Sequence, residues 1–208
     1  VDPYPIPHDP ITRVSDFVDA ARAAVRDHQA VWLVPQAFAW YQYNSKNPDR
    51  GHRPDAEELR TGRAPTYEEE RCMTYLGLIH GAKGLIYYCY YDLRVLPQYA
   101  EMWAWMKSIA AEVRQLTPAL VAAEPAGAWS LRPNFGPVQA ALRRDGKKLC
   151  LMAVNPASTS CRVEFNLQRR TSIETAVLFE GRRLAVRDGR WSDDFAPLAA
   201  HVYEIVAP

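Results

Sequence analysis

The chain has 208 residues, 48% of them hydrophobic, with 25 Lys and Arg against 24 Asp and Glu and a formal net charge of +1. That balance gives no electrostatic reason to expect a nucleic-acid or other polyanionic partner, and the apolar content is that of a folded protein, not a disordered one. No apolar run approaches the roughly 18 residues of a membrane span.

The length permits one large domain or two small ones. The first residue is Val1, with no charged-then-apolar leader before the next elements, so the chain is expected to be a processed or excised piece. Four cysteines are too few for a disulfide scaffold and show no metal spacing such as C-x-x-C. Cys150 and Cys161 flank a turn signal at Asn155-Pro156 and either face each other across a hairpin or remain free thiols.

Asp2 to Pro10 contains Pro3, Pro5, Pro7 and Pro10, which excludes a helix or a central strand and reads as a strand end passing into a loop. Asp16 to His28 is expected to be helical, with Ser15 as N-cap and Phe17, Ala20, Ala21, Ala24 and Val25 as its apolar stripe. Ala30 to Pro35 is short and continuously apolar, as in a parallel strand buried on both faces. Residues 44–65 lack periodicity and read as a long loop. Thr66-Tyr67-Glu68-Glu69 is a capping box. It opens a helix that runs to His80 with Cys72, Leu76 and Ile79 on one face, and Gly81 supplies the left-handed stop.

Gly84 to Asp92 (Gly-Leu-Ile-Tyr-Tyr-Cys-Tyr-Tyr-Asp) is the strand around which the rest is organised. It begins apolar and ends in tyrosines and a carboxylate, as a barrel strand does at its active face. Pro97 then opens a helix with Met102, Met106, Ile109, Val113 and Leu116 at 4-3-4-3 spacing. From about Ala128 the pattern changes to short alternating strands at Val138–Leu142, Leu149–Val154, Arg162–Leu167, Ala176–Phe179, Leu184–Val186 and His201–Val206. Asp145-Gly146, Asn155-Pro156, Glu180-Gly181 and Asp188-Gly189 separate them. The expected fold is therefore mixed. Successive β-α units imply parallel strands with right-handed crossovers over residues 1–124, and a small antiparallel β-sandwich follows over 128–208. So few parallel strands would leave open sheet edges, to be filled by a missing barrel half or by self-association.

The order Asp2-Pro-Tyr-Pro, Val31-Trp-Leu-Val-Pro-Gln-Ala-Phe, Arg63-Ala-Pro-Thr-Tyr-Glu-Glu-Glu-Arg and His80-Gly-Ala-Lys-Gly-Leu-Ile-Tyr-Tyr resembles the last strands of (β/α)8 (TIM) barrel glycoside hydrolases, of the broad retaining clan that includes β-galactosidases and cellulases. Phe195-Ala-Pro-Leu-Ala-Ala-His-Val-Tyr-Glu-Ile is similar to the closing strand of the sandwich often appended to them. The resemblance implies that Asp2, Gln36 and the Tyr88-Tyr90 region end strands six, seven and eight. It also implies that the acid/base Glu would stand on strand four, which this chain lacks, and the nucleophile Glu where Gln36 stands. An amide has no anionic oxygen to attack an anomeric carbon, so Gln36 cannot serve as nucleophile.

Glycoside hydrolysis usually needs two carboxyl groups, about 5–5.5 Å apart for retention and about 6.5–9.5 Å apart for inversion. At the strand ends Asp2 and Asp92 are the candidate catalytic or sugar-accepting carboxylates. Asp2 is otherwise a turn-former before Pro3, and Asp92 otherwise a loop or helix-starting residue. Tyr4, Gln36, Phe38, Trp40, Tyr88 and Tyr90 are the candidate substrate-binding residues, because flat rings stack on the apolar faces of sugars and polar tips reach their hydroxyls. Tyr88 and Tyr90 are expected on one face of the strand, and several of these rings alternatively serve as packing. Glu68, Glu69 and Glu70 lie in a helical first turn, where they favour the macrodipole. Arg143, Arg144, Lys147 and Lys148 read as a solvated hairpin tip. His8, His52, His80 and His201 are scattered, so no metal site is expected, and no phosphate loop or other cofactor motif occurs. The expected function is a carbohydrate-active one. The chain would be the C-terminal region of a glycoside-hydrolase-like enzyme with an oligo- or polysaccharide partner, or alternatively a non-catalytic carbohydrate-binding or scaffold protein with a degenerate barrel.

Overall fold

The computed structural model describes residues 1–26, 28–45, 47–121, 136–146, 148–168 and 171–206. The chain forms two compact units, Val1–Ala111 and Glu112–Pro208. The boundary expected between residues 124 and 128 lies outside the described residues.

In the first unit, β1 (Trp32–Leu33) and β2 (Gly84–Leu85) pair in parallel, with Trp32 opposite Gly84 and Leu33 opposite Leu85. The pairing reaches beyond these short strands. The N–H of Lys83 donates to Val31 C=O at 2.8 Å, that of Ile86 to Leu33 at 3.0 Å and that of Tyr88 to Pro35 at 2.9 Å. On the other side of β1, the Val1 ammonium donates to Trp32 C=O at 2.8 Å and the Val34 N–H donates to Val1 C=O at 2.8 Å. Three segments thus lie side by side. One face of β1 is covered: Val31, Leu33 and Pro35 are buried. The opposite face is open, with Trp32 50%, Ile86 53% and Tyr88 41% exposed. The expectation of a strand buried on both faces is corrected here. The described helices cover a single side, and nothing described covers the other.

The crossover helices explain the covered side. α1 (Arg13–Ala24) begins earlier than its spacing implied, and its buried residues are Val14, Ser15 and Val18. Ser15 is not the cap; it lies within the first turn and its hydroxyl donates to the Thr12 carbonyl at 2.7 Å. Phe17 faces outward under the Arg13 guanidinium, 5.2 Å from the ring centre, and so shields little of the core. Asp55 and Glu58 form a capping box that starts α2 (Ala56–Gly62) inside the segment expected to be loop. α3 (Tyr67–Ile79) starts at the expected Thr66/Glu69 box and ends before Gly81, whose φ of +92° suits the left-handed stop. It is buried almost all round, from Cys72 to Ile79, and not along a single stripe. Glu69 is held by Arg63 at 2.6 and 2.7 Å. Glu70 is buried, and neither carboxyl oxygen has a hydrogen-bond partner among the described residues.

Gly77 marks the tightest contact between α3 and β1. A Cβ there would lie 2.3 Å from Cδ2 of the fully buried Leu33. Overpacking of this kind costs about 1–3 kcal/mol, partly offset by the roughly 1 kcal/mol that Ala gains over Gly in a helix. Gly77→Ala is therefore expected to lower stability by about 1–2 kcal/mol, read as a lower urea midpoint. Pairing it with Leu33→Val should recover part of the loss, which a purely conformational effect of the glycine would not allow.

β2 gives way to α4 (Tyr90–Leu93) and then α5 (Tyr99–Leu120). Met102, Ile109 and Leu116 of the expected stripe are buried.

In the second unit, five antiparallel strands are ordered β3-β4-β9-β6-β7 (Gln139–Asp145, Lys148–Val154, Ala200–Val206, Ile173–Leu178, Arg182–Val186). A second antiparallel pair joins β5 (Cys161–Asn166) to β8 (Arg190–Phe195). Both sheets contribute to one core, in which Phe165, Trp191 and Phe195 meet Leu151, Val177 and Tyr203. The β7–β8 turn has positive φ at both Asp188 (50°) and Gly189 (79°), as the Asp-Gly signal implies. β4 and β5 do not form a hairpin. Cys150 lies opposite Arg143 and Glu204, Cys161 lies opposite Phe195, and both thiols are free. Arg143 is buried rather than solvated at the hairpin tip, and Lys147 lies outside the described residues.

Strand β8 is not among the strands expected from the sequence. Its alternation holds nonetheless, with Trp191, Asp193 and Phe195 buried. Asp193 tolerates this position because Arg182 donates to it at 2.9 and 2.7 Å and Tyr203 at 2.8 Å. Burial alone would raise its pKa, but these donors outweigh burial and hold the carboxyl below its ordinary value.

Candidate functional site

The C-terminal ends of the parallel segments gather the aromatic residues. Gln36 pairs with Tyr88 across the sheet, and the Ala37 N–H donates to Tyr88 C=O at 2.6 Å. This fixes Phe38 beside the end of β2. Phe38 is 1% exposed and forms the hub of the group. Its ring centre lies 5.1 Å from Tyr4, 5.0 Å from Trp40, 5.2 Å from Tyr43 and 5.9 Å from Tyr88, all in edge contacts. Tyr4 and Tyr88 stack at 5.8 Å with planes 30° apart. Trp40, in the 3-10 turn Trp40–Tyr43, reaches His8 at 6.2 Å. Its buried indole N–H has no acceptor among the described residues.

The outer members of this group are open to solvent. Tyr88 and Tyr43 are about two-fifths exposed, Tyr4 and Trp40 are half-buried, and Asp2 is exposed. Burial raises the Tyr4 pKa to about 12, and Asp2 and Tyr88 reinforce the shift. Its phenol therefore remains a hydrogen-bond donor at any physiological pH.

Three expected site residues have other roles. Gln36 is fully buried. Its amide oxygen accepts from the Ile6 N–H at 3.0 Å, and its amide nitrogen donates to the carbonyls of Ile6 at 2.8 Å and Phe38 at 3.2 Å. It clamps the proline-rich loop to the strand end and has no face for a sugar. Phe38 is a packing hub for the same reason of burial. Tyr90 leaves the strand for α4, so the alternation expected from Tyr88 to Tyr90 stops at Cys89; its ring meets Tyr99 and Trp103 instead.

Asp92 is corrected more sharply. It is fully buried in α4, with Oδ1 bound by the Arg50 guanidinium and Oδ2 accepting from the Tyr43 hydroxyl at 2.6 Å and the Cys89 thiol at 3.1 Å. Its backbone carbonyl accepts from the Gln42 amide at 2.8 Å. Burial opposes ionisation, but the Tyr43, Arg50 and Cys89 donors outweigh it and hold the carboxyl below its ordinary value. An ionised carboxylate sealed among donors cannot deliver a proton to a glycosidic oxygen. Its work is to tie the 44–55 segment to the strand end. The Arg50 guanidinium also lies over the Tyr43 ring, 4.5 Å from its centre. Sequence reasoning passed over Arg50, since an arginine in an aperiodic loop carries no local sign of a partner 42 positions away.

Among the described residues, no group of three or more His, Cys, Asp and Glu side chains comes together to hold a metal ion, and no helix is long and apolar enough to cross a membrane.

No protein-family model and no curated protein matches the sequence. Solved structures do share the fold. An AmyP variant in complex with maltotriose is 10% identical with a TM-score of 0.60, covering 96% of this chain and 49% of its own. An Anoxybacillus alpha-amylase is 14% identical with a TM-score of 0.56, covering 95% of this chain and 46% of its own. A candidate alpha-galactosidase/melibiase from Bacteroides fragilis is 15% identical with a TM-score of 0.52, covering 93% of this chain and 38% of its own. The chain thus spans about half the length or less of the structures it matches. What it shares with them is the fold alone, in which a helix-and-strand region precedes one rich in antiparallel sheet.

Proposed function

We propose that this chain is the C-terminal region of a glycoside-hydrolase-like protein and contributes part of a saccharide-binding cleft. In this reading, residues 1–124 are the last part of a (β/α)8 barrel and residues 128–208 an appended β-sandwich. The open face carrying Trp32, Ile86 and Tyr88 is then the inward side of a barrel whose remaining strands lie elsewhere. The observation that carries the reading is the stacked, part-exposed Tyr4–Tyr88 pair at the strand ends, with Trp40 and Tyr43 around it. Flat rings with polar tips fit the apolar faces and hydroxyl rim of a sugar, and Asp2 beside them is placed to accept hydroxyl donors. The fold likeness to proteins solved with maltotriose and maltose supports a saccharide over other polar ligands.

A non-catalytic protein is the second reading. It is favoured by Gln36 standing committed to backbone where a nucleophile would end its strand, and by Asp92 being sealed in an ion pair.

Calorimetric titration with malto-, cello- and galacto-oligosaccharides tests the site. Tyr88→Ala is expected to weaken binding about tenfold, with circular dichroism checking that the variant is folded. Equal affinity in wild type and variant, or no binding of any of the sugars by the wild type, would remove the site.

A further inference from the structure

The rings gather where the parallel segments end; a basic pocket lies where they begin. A cavity of about 210 Å3 opens between the end of α1, which brings Arg22 and Arg26, the approach to β1, which brings Gln29 and Val31, and the approach to β2, which brings Gly81 and Lys83. Three cations line it and no carboxylate does. The near-zero net charge of the whole chain conceals this local excess. Cations at a helix C-terminus complement its dipole, which accounts for the residues at the end of α1. It does not account for Lys83, which comes from a different element and faces the same cavity.

The donors around the cavity are held in place and largely unused. Arg22 donates from Nη1 to the His80 carbonyl at 3.0 Å, and a Cβ on Gly81 would lie 3.0 Å from that nitrogen, so the guanidinium is packed on the glycine backbone. That contact uses one of its five N–H donors. The Gln29 amide oxygen accepts from the Arg26 N–H at 2.9 Å, and the Gln29 N–H donates to Arg26 C=O at 2.8 Å. This closed turn leaves the amide nitrogen of Gln29 as a donor. Among the described residues, the Arg26 guanidinium and the Lys83 ammonium have no hydrogen-bond or ion-pair partner. Asp19, one turn before Arg22 on α1, is engaged by the His80 ring at 2.8 Å. We propose that this pocket binds a phosphate group, free or as the monoester of a small ligand. Its charge of about −1.5 to −2 matches the three cations better than a single carboxylate would, and guanidinium forks suit its oxygens. The buried Val31 leaves the floor apolar, so the polar contacts come from the rim.

The test titrates sodium phosphate, methyl phosphate and acetate by calorimetry into the full chain, at neutral pH and fixed ionic strength. Saturable binding of a phosphate is expected, with acetate about tenfold weaker. Replacing Arg26→Gln and Lys83→Gln together should weaken phosphate binding about tenfold. Arg60→Gln, which removes an exposed cation from α2, should leave it unchanged. Circular dichroism checks that each variant is folded, and either single replacement, expected to lose about threefold, serves if the double variant is not. Tighter binding of the free ion or of the ester identifies which the pocket takes, and either supports the site. No saturable binding, equal affinity for acetate and phosphate, or an equal loss in Arg60→Gln overturns it and leaves an adventitious ion only. The saccharide reading is untouched by any of these results, since none of the replaced residues belongs to the ring group.

Discussion

Arg50→Met is expected to destabilise the protein at neutral pH, read as a lower midpoint in equilibrium urea denaturation. Removing one partner of a buried ion pair typically costs about 3–5 kcal/mol, because the other charge stays buried without compensation. Here the charge left behind is that of Asp92, which is 0% exposed, while Arg50 itself is 40% exposed. Part of the pair's attraction is therefore screened by water, which makes the cost smaller than for a fully buried pair. Tyr43 and Cys89 remain as donors and keep it from being larger. The pH dependence has a definite sign. The Asp92 pKa is depressed in the folded protein, so its contribution is present above the unfolded value of about 3.9 and is lost as pH falls through the folded value. The gap between wild type and Arg50→Met should then close in acid. Asp92→Asn, which keeps the shape but removes the charge, should make the further loss of Arg50 nearly neutral. A gap below about 0.5 kcal/mol, within the range of ordinary surface substitutions, would mean that the pair does not anchor the segment.

Glu70→Met should do the opposite and stabilise the protein. Glu70 is 2% exposed and both of its oxygens lack partners among the described residues. Burial, with a smaller contribution from Glu69, raises its pKa well above the ordinary carboxylate value. Replacing even a buried ion pair with apolar side chains of similar volume is often neutral or stabilising by about 1–4 kcal/mol, and Glu70 has no such partner to lose among the described residues. A gain of about 1–3 kcal/mol at pH 7 is expected for this single uncompensated group. A raised folded pKa gives stability that is complete below the unfolded value of about 4.3 and is lost as pH rises through the folded value. The advantage of the variant should therefore be small in acid and grow toward neutrality. Destabilisation at pH 7 would show that the carboxylate has a stabilising partner after all.

These two carboxylates show where local reading stops. Asp92 ends an aromatic run and looks like a catalytic candidate, while Glu70 follows two helix-starting glutamates and looks like one more of them. Each assignment fails on burial, which no local pattern reports. Asp92 is ionised because a loop arginine 42 positions earlier reaches it. Glu70 is sealed because α3 is covered on nearly all sides. Gln36 is a similar case. The resemblance puts it at a mechanistic position, but both ends of its amide are used by the backbone of the loop 30 positions earlier.

The chain by itself determined the features that depend on neighbouring residues. The Thr66/Glu69 cap, the stop at Gly81 and the Asp188-Gly189 turn all follow from hydrogen bonds and dihedral preferences within a few positions. Tertiary structure alone decided which face of β1 is covered, that β5 pairs with β8 and not with β4, and that Tyr88 and Tyr90 lie in different groups of rings. The physical reason is common to all three. Periodicity states which residues can share a face, but whether that face meets a helix, another sheet or water is settled by partners distant in sequence.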